Sequence, residues 1–520
     1  MLLEARVAHH VTEAEAARLA REVYGLEAAA RALPGEYDDN FHLTAADGRA
    51  FVLKVMHPAR EPSFIELQCK ALVHLAEHAP QLQLPRVLPN CSGKLFSEIS
   101  AADGSRRLVW LLSFLKGTVL AEVRPHASEL LCGLGRFVGE MDAALQSFEH
   151  PAAHRELKWD SSRVAWIKEF IPEIEGAERR ALVEEFVELY EVEVVPRLLR
   201  LRRSVIYGDA NDYNVLVSDP WPQPRKIAGV IDFGDMHHGL TVSEAAIAAA
   251  YAILGKADPL KAAAEVVAGY HDAFPLQEEE VTVIFPLMAG RLAVSVANSA
   301  HRKKVRPDDA YVTVSEEPAW KALERLAKIH PRFAHYVLRE ACGMMPVPKG
   351  ERIQGWLKAN GKSAASILDL DLRKEPGLVF DLGVGSVLLG ADPSAAETPA
   401  LAEKIFGEMK RAGVRVGVGR YNEARPLYNS PLFGSVDNPV SERRTMHLGM
   451  DLFVEPGTAL RAPLAGVVHI LANNANPQDY GPLVILRHGT GDGEEFFTLY
   501  GHLTTQTLTG LKVGQRVSRG

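Results

Sequence analysis

The stretch from Ile206 to Asp235 constrains this chain more than any other. It reads Tyr207-Gly208-Asp209-Ala210-Asn211-Asp212-Tyr213-Asn214, then an apolar run Val215-Leu216-Val217, then Gly229-Val230-Ile231-Asp232-Phe233-Gly234-Asp235. An acid, an amide five residues later and a second acid carried out on a hydrophobic strand are what phosphoryl transfer from ATP demands. That reaction asks for little covalent help: the attacking hydroxyl must be aligned, magnesium held on the phosphates and charge neutralised. Asp209 is therefore the candidate base, and Asn214 and Asp232 are oxygen donors of the kind a hard magnesium ion prefers. An isolated Asp-x4-Asn is better explained by an Asn capping a turn. The strand after it and the Asp-Phe-Gly sequel weaken that alternative.

Residues upstream suit the same chemistry. Lys54 lies in Phe51-Val52-Leu53-Lys54-Val55, where strand alternation sets it opposite Leu53 and Val55. An ammonium so placed can bind the α- and β-phosphates, with an acid on the next helix holding it. Glu66 is the candidate acid, although Lys70 at i+4 offers it an ordinary surface pair and Gln68 competes for the register. Before the strand, Gly35 and Asn40 lie in Pro34-Gly35-Glu36-Tyr37-Asp38-Asp39-Asn40-Phe41, at the position of a nucleotide flap. A single glycine lets few backbone amides approach phosphate, and a plain polar turn is the alternative.

Local signals give the order of elements around these motifs. Thr12 and Glu15 form a capping-box pattern that opens a helix over 11–24. Asn40 to Thr44 and Arg49 to Met56 read as a hairpin around Asp47-Gly48, and Phe64 to Ala79 has helical spacing. Strands follow at 85–88 and 107–114, helices over about 127–200, short strands at 205–206, 215–217 and 227–231, and helices again from Val242 to about Ala341. This is a two-lobed α+β plan. A composition shift places a boundary near 345, giving segments 1–343, 344–440 and 441–520, of which the second is a connector of uncertain structure and the third is β-rich. Gly413 to Gly419 invites comparison with a phosphate loop, but no Lys-Ser/Thr follows, and a glycine-punctuated strand explains it better.

Composition narrows the partners. Sixty-six acids against fifty-eight Lys plus Arg, with no long basic run, argue against a nucleic-acid binder. Cys69, Cys91, Cys132 and Cys342 are too scattered for a disulfide framework or a zinc knuckle. Glu4 and Arg6 interrupt what would have to be a signal peptide, and the aliphatic stretch Ala245 to Leu254 is far short of the ~20 residues that cross a bilayer. The expectation is a cytoplasmic protein with no membrane partner.

Taken together, GEYDDNF, FVLKV, YGDANDYNVLV and VIDFGDM resemble the aminoglycoside phosphotransferase-like kinases of the hydroxylysine kinase and homoserine kinase type, over roughly 1–340. The resemblance implies a protein-kinase-like fold and a small-molecule kinase dependent on ATP and Mg²⁺. It gives Asp209 as base, Asn214 and Asp232 on the metal, and Lys54 on the nucleotide. Tyr207 stands where many relatives have His, a position that looks structural in the family. Acceptors in such families are often cationic amino alcohols or hydroxy-amino acids, and a bound ammonium needs carboxylates. Asp160, Asp212, Asp235 and Glu244 are candidates, each also explicable as a cap or a surface acid.

A second chemistry stands near the end of the chain. His447-Leu448-Gly449-Met450-Asp451 can put an imidazole and a carboxylate on one zinc ion, and His502 in Tyr500-Gly501-His502 can act on water or a peptide oxygen. With the glycine-rich turns between them, these residues resemble the lysostaphin-like zinc endopeptidases over about 440–520. The family's third ligand comes from a later His-x-His segment, so the resemblance implies an incomplete zinc site in an incomplete module. The layout also resembles bacterial fusions in which a kinase and such a module precede a class III aminotransferase-like domain. The principal expectation is a kinase. A zinc peptidase and a non-catalytic kinase-fold scaffold are the alternatives.

Overall fold

The computed structural model describes residues 10–35, 37–101, 104–221, 223–305, 316–390, 398–428, 433–434 and 444–520. The chain divides into two compact units, Met1–Val347 and Pro348–Gly520.

The first unit opens with helix α1 (Glu13–Tyr24), started by the expected capping box: Thr12 Oγ1 accepts from the Glu15 amide, and the Glu15 carboxylate accepts from the Thr12 amide at 2.8 Å. Strands β1 (Ala28–Leu33), β2 (Asp39–Ala45) and β3 (Ala50–Val55) follow, then α2 (Pro62–His78), β4 (Val87–Leu88), β5 (Ser97–Ser100) and β6 (Arg106–Ser113). They pair in the order β1-β2-β3-β6-β4, with β5 also on β6. Strand β1 departs from the expected order of helix, hairpin, helix. Its sequence, Ala28-Ala29-Ala30-Arg31-Ala32-Leu33, has weak β-propensity, and pairing with β2 across Ala28↔Ala45 imposes the strand.

Strict alternation gives this sheet two faces. Phe41, Leu43, Leu53, Val55, Val109 and Leu111 bury against Ala16, Leu19 and Ala20 of α1. The opposite face carries Lys54, paired in register with Trp110 on β6 and with Asn40 on β2. One face is thus a small closed core, and the other presents the lysine.

The remainder of this unit is mainly helical, with two small sheets set into it. Its elements are β7 (Thr118–Val119), α3 (Ser128–Leu145), α4 (Ala177–Glu193), β8 (Arg203–Ile206), β9 (Val215–Val217), β10 (Ile227–Val230), β11 (His237–Leu240), α5 (Ser243–Ala252), α6 (Pro259–Ala273), α7 (Glu278–Val305), α8 (Glu316–Leu326) and α9 (Pro331–Ala341). Between α3 and α4 the expected helix is replaced by 3-10 turns, including Ser161–Glu169. Strands β10-β9-β7 form one sheet and β11-β8 another. By length and composition α7 could cross a membrane, although Thr282, Arg291 and Ser295 interrupt its apolar run. Within the fold, 89% of its most apolar window is buried, as in a core helix.

The second unit begins with α10 (Gly350–Asn360), β12 (Gly377–Phe380), α11 (Thr398–Ala412), β13 (Val416–Gly419) and β14 (Glu423–Ala424). It continues with β15 (Met446–His447), β16 (Asp451–Phe453), β17 (Gly466–Asn474), β18 (Gly481–Gly489), β19 (Glu495–Tyr500), α12 (Thr505–Gly510) and β20 (Arg516–Val517). Strands β12 and β13 are parallel, with α11 as the crossover between them, and β16 adds antiparallel to β13. Segment 344–440 is therefore not a loose connector: it shares a sheet with the β-rich residues after 444. Strands of two to four residues left too little apolar period to read. Strands β19-β18-β17-β20 form a separate sheet.

Candidate active site

Short strands β8, β9 and β10 deliver the catalytic candidates. Asn214 ends the loop that leads into β9 and Asp232 follows β10. The Ile231 amide donates to the Asn214 carbonyl at 2.9 Å, which sets the two motifs side by side. Tyr207 is fully buried and its hydroxyl donates to the Ile231 carbonyl at 2.5 Å, so it ties the two strands together. Gly208 has a φ of 80° and a Cβ there would meet the Asp235 carbonyl at 2.8 Å, so glycine is required where the two loops touch.

Asp209 is held at both oxygens. Its Oδ2 accepts from Asn214 Nδ2 at 2.6 Å and from Asn211 Nδ2 at 2.9 Å, and its Oδ1 accepts from Arg291 Nη2 at 2.7 Å. Burial, followed by the neighbouring Asp235 carboxylate, pushes the Asp209 carboxyl upward. A base raised toward working pH is better matched to accepting a hydroxyl proton. Asp232 has a φ of 60°, a strained value for a residue with a side chain, and its Oδ1 accepts from the Gly234 amide. The Lys54 ammonium 3.6 Å away holds the Asp232 carboxyl below the usual carboxylate range.

Magnesium fits the donors present. Both Asn214 amide contacts with Asp209 run through Nδ2, and no described group donates to its Oδ1. That carbonyl oxygen and the Asp232 carboxylate are hard oxygen donors on adjoining segments.

The nucleotide side agrees in part with expectation. Lys54 faces Asp232 and approaches the Trp110 ring to 5.8 Å. Glu66 does not reach it: its carboxylate pairs with Lys70 at 2.6 Å, the surface alternative raised by the i+4 spacing. Gln68 is buried and donates to the Phe64 carbonyl instead. In the turn between β1 and β2, Glu36 lies outside the described residues. A Cβ on Gly35 would fall 2.3 Å from the Asp38 carbonyl, so Gly35 and Asp38 approach too closely for a side chain at 35. Asn40 Oδ1 is buried there without a hydrogen-bond partner among the described residues.

The four acceptor carboxylates divide into two kinds. Asp160 is consumed as a cap: it accepts from the Ser162 amide and hydroxyl, each at 2.8 Å, and lies 3.8 Å from His237. Glu244 is fully buried and accepts from the Gly208 amide, so it props the catalytic loop from behind. Asp212 Oδ1, like Glu244 Oε2, is buried without a hydrogen-bond partner among the described residues, and burial pushes the Asp212 carboxyl up to about 6. No described group makes a hydrogen bond or ion pair to the Asp235 carboxylate, which stands beside Asp209.

Sequence reasoning missed Arg291. The signal was present: a lone cation in Met288-Ala289-Gly290-Arg291-Leu292-Ala293-Val294 must be buried, and a buried charge needs a partner. It also missed Arg155, whose guanidinium bonds the Met236 carbonyl at 2.8 Å and so clamps the segment after Asp232.

A buried carboxylate held by three donors, with an amide oxygen and a second carboxylate on adjoining segments and a lysine beside the latter, is the arrangement of a small-molecule kinase. The chain belongs to the phosphotransferase enzyme family, whose model matches residues 29–280. It is 30% identical over 328 residues to hydroxylysine kinase of Danio rerio, covering 61% of this chain and 92% of that protein. It is 28% identical over 335 residues to hydroxylysine kinase of Mus musculus, covering 61% of this chain and 89% of that protein. Among solved structures, a microcompartment-associated aminopropanol kinase is 21% identical with a TM-score of 0.47, covering 64% of this chain and 100% of that one. Amicoumacin kinase hAmiN is 14% identical with a TM-score of 0.46, covering 61% of this chain and 94% of that one.

In the second unit the model of peptidase family M23 matches residues 445–520. His447 Nε2 lies 3.5 Å from Asp451 Oδ1, so the two residues expected on zinc do meet. Arg425 Nη2 lies 2.7 Å from Asp451 Oδ2, however, and places a positive charge where a cation would bind. No hydrogen bond or ion pair links His502 to either residue among the described groups; its amide donates to the Tyr480 carbonyl. The described residues contain no group of three or more His, Cys, Asp or Glu able to hold a metal. These donors do not fit a zinc centre.

Proposed function

We propose that this chain transfers the γ-phosphoryl group of ATP to the hydroxyl of a small amino alcohol or hydroxy-amino acid of the hydroxylysine type. The observation that carries the proposal is the contrast between two neighbouring carboxylates. Asp209 is engaged by three donors, whereas no described group makes a hydrogen bond or ion pair to the Asp235 carboxylate, which the more distant charges of Arg291, Arg155 and His237 influence. A base fixed for a hydroxyl and an acid with no hydrogen bond of its own for an ammonium match an acceptor bearing both groups on a short chain. Asp212, with its own unpaired oxygen, is the second acid available to a doubly cationic acceptor. The names of the curated relatives support the same acceptor class.

In this reaction Asp209 orients the acceptor hydroxyl and takes its proton as the oxygen bonds to the γ-phosphorus. The bond from that phosphorus to the β,γ-bridging oxygen breaks, ADP leaves, and the proton passes from Asp209 to solvent. Lys54 binds the α- and β-phosphates. Asn214 and Asp232 would hold magnesium, which supplies charge neutralisation on the phosphates.

The test is ADP release with a panel of hydroxylysine, ethanolamine-like alcohols and hydroxy-amino acids, with Asp209→Asn as control. Turnover of an amine-bearing alcohol that Asp209→Asn abolishes is expected, together with a raised acceptor KM in Asp235→Asn. ATP binding without turnover of any acceptor would replace this proposal with a non-catalytic scaffold.

A further inference from the structure

Arg291 sits in the middle of α7, only 3% exposed, among apolar neighbours that offer its charge nothing. Burying a guanidinium is costly unless it is paired and hydrogen-bonded, so the site repays attention to what it touches. All three nitrogens have partners. Nη2 donates to Asp209 Oδ1 at 2.7 Å, Nε to the Tyr251 hydroxyl at 3.4 Å, and Nη1 to the Trp159 carbonyl at 3.4 Å. The guanidinium carbon lies 4.5 Å from the Trp159 ring centre and 5.6 Å from that of Tyr251. Three of its five N–H groups are engaged, one on each nitrogen, so the side chain is fixed, and the shortest of the three contacts is the one to Asp209.

The geometry of Asp209 shows what that is. An ionised carboxylate offers about four lone-pair sites, two on each oxygen. Asn211 and Asn214 come from the same loop as Asp209 and both go to Oδ2, filling that oxygen. Arg291 is the only described donor to Oδ1, and it takes one of the two sites there. The vacancy for a hydroxyl proton is therefore the second lone pair of Oδ1.

We infer that Arg291 is a positioning residue for phosphoryl transfer: it holds Oδ1 of Asp209 so that its remaining lone pair faces the acceptor hydroxyl. The inference rests on Asp209 as the base. The loop amides alone fix Oδ2 and leave the carboxylate free to swing about it. Arg291, anchored on a helix 82 residues along the chain and gripped by Trp159 and Tyr251, removes that freedom.

The test is steady-state kinetics of the full chain with an acceptor it turns over, comparing wild type, Asp209→Asn, Arg291→Ala and Arg291→Lys. Misplacing a reacting group by about an ångström can cost roughly 100-fold, so Arg291→Ala is expected to lose about that much kcat while the KM for ATP stays unchanged. Millimolar guanidinium should restore Arg291→Ala saturably, entering the space beside Trp159, whereas sodium chloride at the same strength should not. Lys, with a point charge and no planar fork, should recover only part of kcat. An undiminished kcat in Arg291→Ala overturns the inference, as does a loss that raises the KM for ATP in parallel and ignores guanidinium. Should Arg291→Ala not fold, Tyr251→Phe removes only the hydroxyl on Nε. A several-fold drop in kcat at constant KM for ATP supports the inference, and unchanged kcat in both Tyr251→Phe and Arg291→Lys overturns it. Equal activity of wild type and Asp209→Asn would instead remove the base assignment on which it stands.

Discussion

Lys54 Nζ and Asp232 Oδ1 lie 3.6 Å apart, joining the sheet of the first lobe to the end of β10. The candidate cation for the phosphates and the candidate acid for their magnesium thus share one point, where the proposed function would run the nucleotide's phosphate chain. Lys54 is only 14% exposed, and among the described residues no helix acid pairs with it.

That pairing separates two acidic residues that look alike in sequence. Lys54→Ala should lower kcat/KM for ATP by on the order of 10 to 100-fold, since it removes a phosphate contact and frees Asp232. Glu66→Ala should leave ATP kinetics unaltered and change stability by less than about 0.5 kcal/mol, because its bond to Lys70 is an exposed i,i+4 pair. ADP-release assays over a range of ATP concentrations check both. A raised KM for ATP in Glu66→Ala would show that the helix acid moves onto Lys54 during turnover.

Magnesium dependence follows from the oxygen donors. Chelation should abolish turnover and added Mg²⁺ restore it. Asp232→Asn should raise the Mg²⁺ concentration needed for half-maximal rate by at least about tenfold, since it removes the one carboxylate among the proposed ligands. Titrating Mg²⁺ at fixed ATP measures this. Unchanged magnesium dependence in Asp232→Asn would move the metal elsewhere.

Glu244 predicts a pH effect on stability. It is fully buried, and desolvation raises its carboxyl from 4.5 to about 7, with its Oε1 on the Gly208 amide and its Oε2 unpaired. A group whose folded value is raised contributes stability below its unfolded value, and that stability is lost as pH rises through the folded value. Between about pH 4.5 and 7 the fold should therefore lose on the order of 1 to 3 kcal/mol from this group. The buried Asp142, raised by its own burial and then by Glu244, reinforces the trend. Glu244→Gln keeps an acceptor for Gly208 and removes the charge, so denaturant unfolding across pH 5 to 8 should show a flatter profile in the variant. An identical slope would mean that Glu244 does not titrate in that range.

The first unit was legible where local chemistry and tertiary structure agree. The Thr12 capping box, the Asp47-Gly48 turn and the alternation around Lys54 are each decided within a few residues, and the fold keeps them all. Strand β1 was not legible, because six residues with four alanines become a strand only when β2 is beside them. The motif positions 209, 214 and 232 could be read from spacing, but the partner of Asp209 could not. Arg291 is far along the chain, and sequence shows that a buried arginine needs a partner without showing which one. For Glu66 the sequence offers two partners, Lys54 and the i+4 Lys70, and the fold takes the second. In the second unit, strands of two to four residues and a parallel crossover through α11 leave no period long enough to detect.

The second unit holds the remaining test, and it turns on Arg425. Its guanidinium lies 2.9 Å from Glu423 and 2.7 Å from Asp451, and both it and Glu423 are only 5% exposed. Arg420 adds a further pair to Glu423 at 2.8 Å, and the Leu382 amide donates to the same carboxylate. A network of this kind orders the β13–β16 corner with arginine charge, and the His447–Asp451 dyad is part of it. Removing one partner of a buried pair strands the other charge, so Arg425→Ala should destabilise this unit by on the order of 3 kcal/mol. His447→Ala, at the margin of the network, should cost less than Arg425→Ala. Scanning calorimetry of the full chain, with zinc measured in the same samples, checks this. Loss of stability in Arg425→Ala without any zinc in the wild type is the expected result. Stoichiometric zinc that His447→Ala removes would show instead that Asp451 exchanges its arginine for the metal.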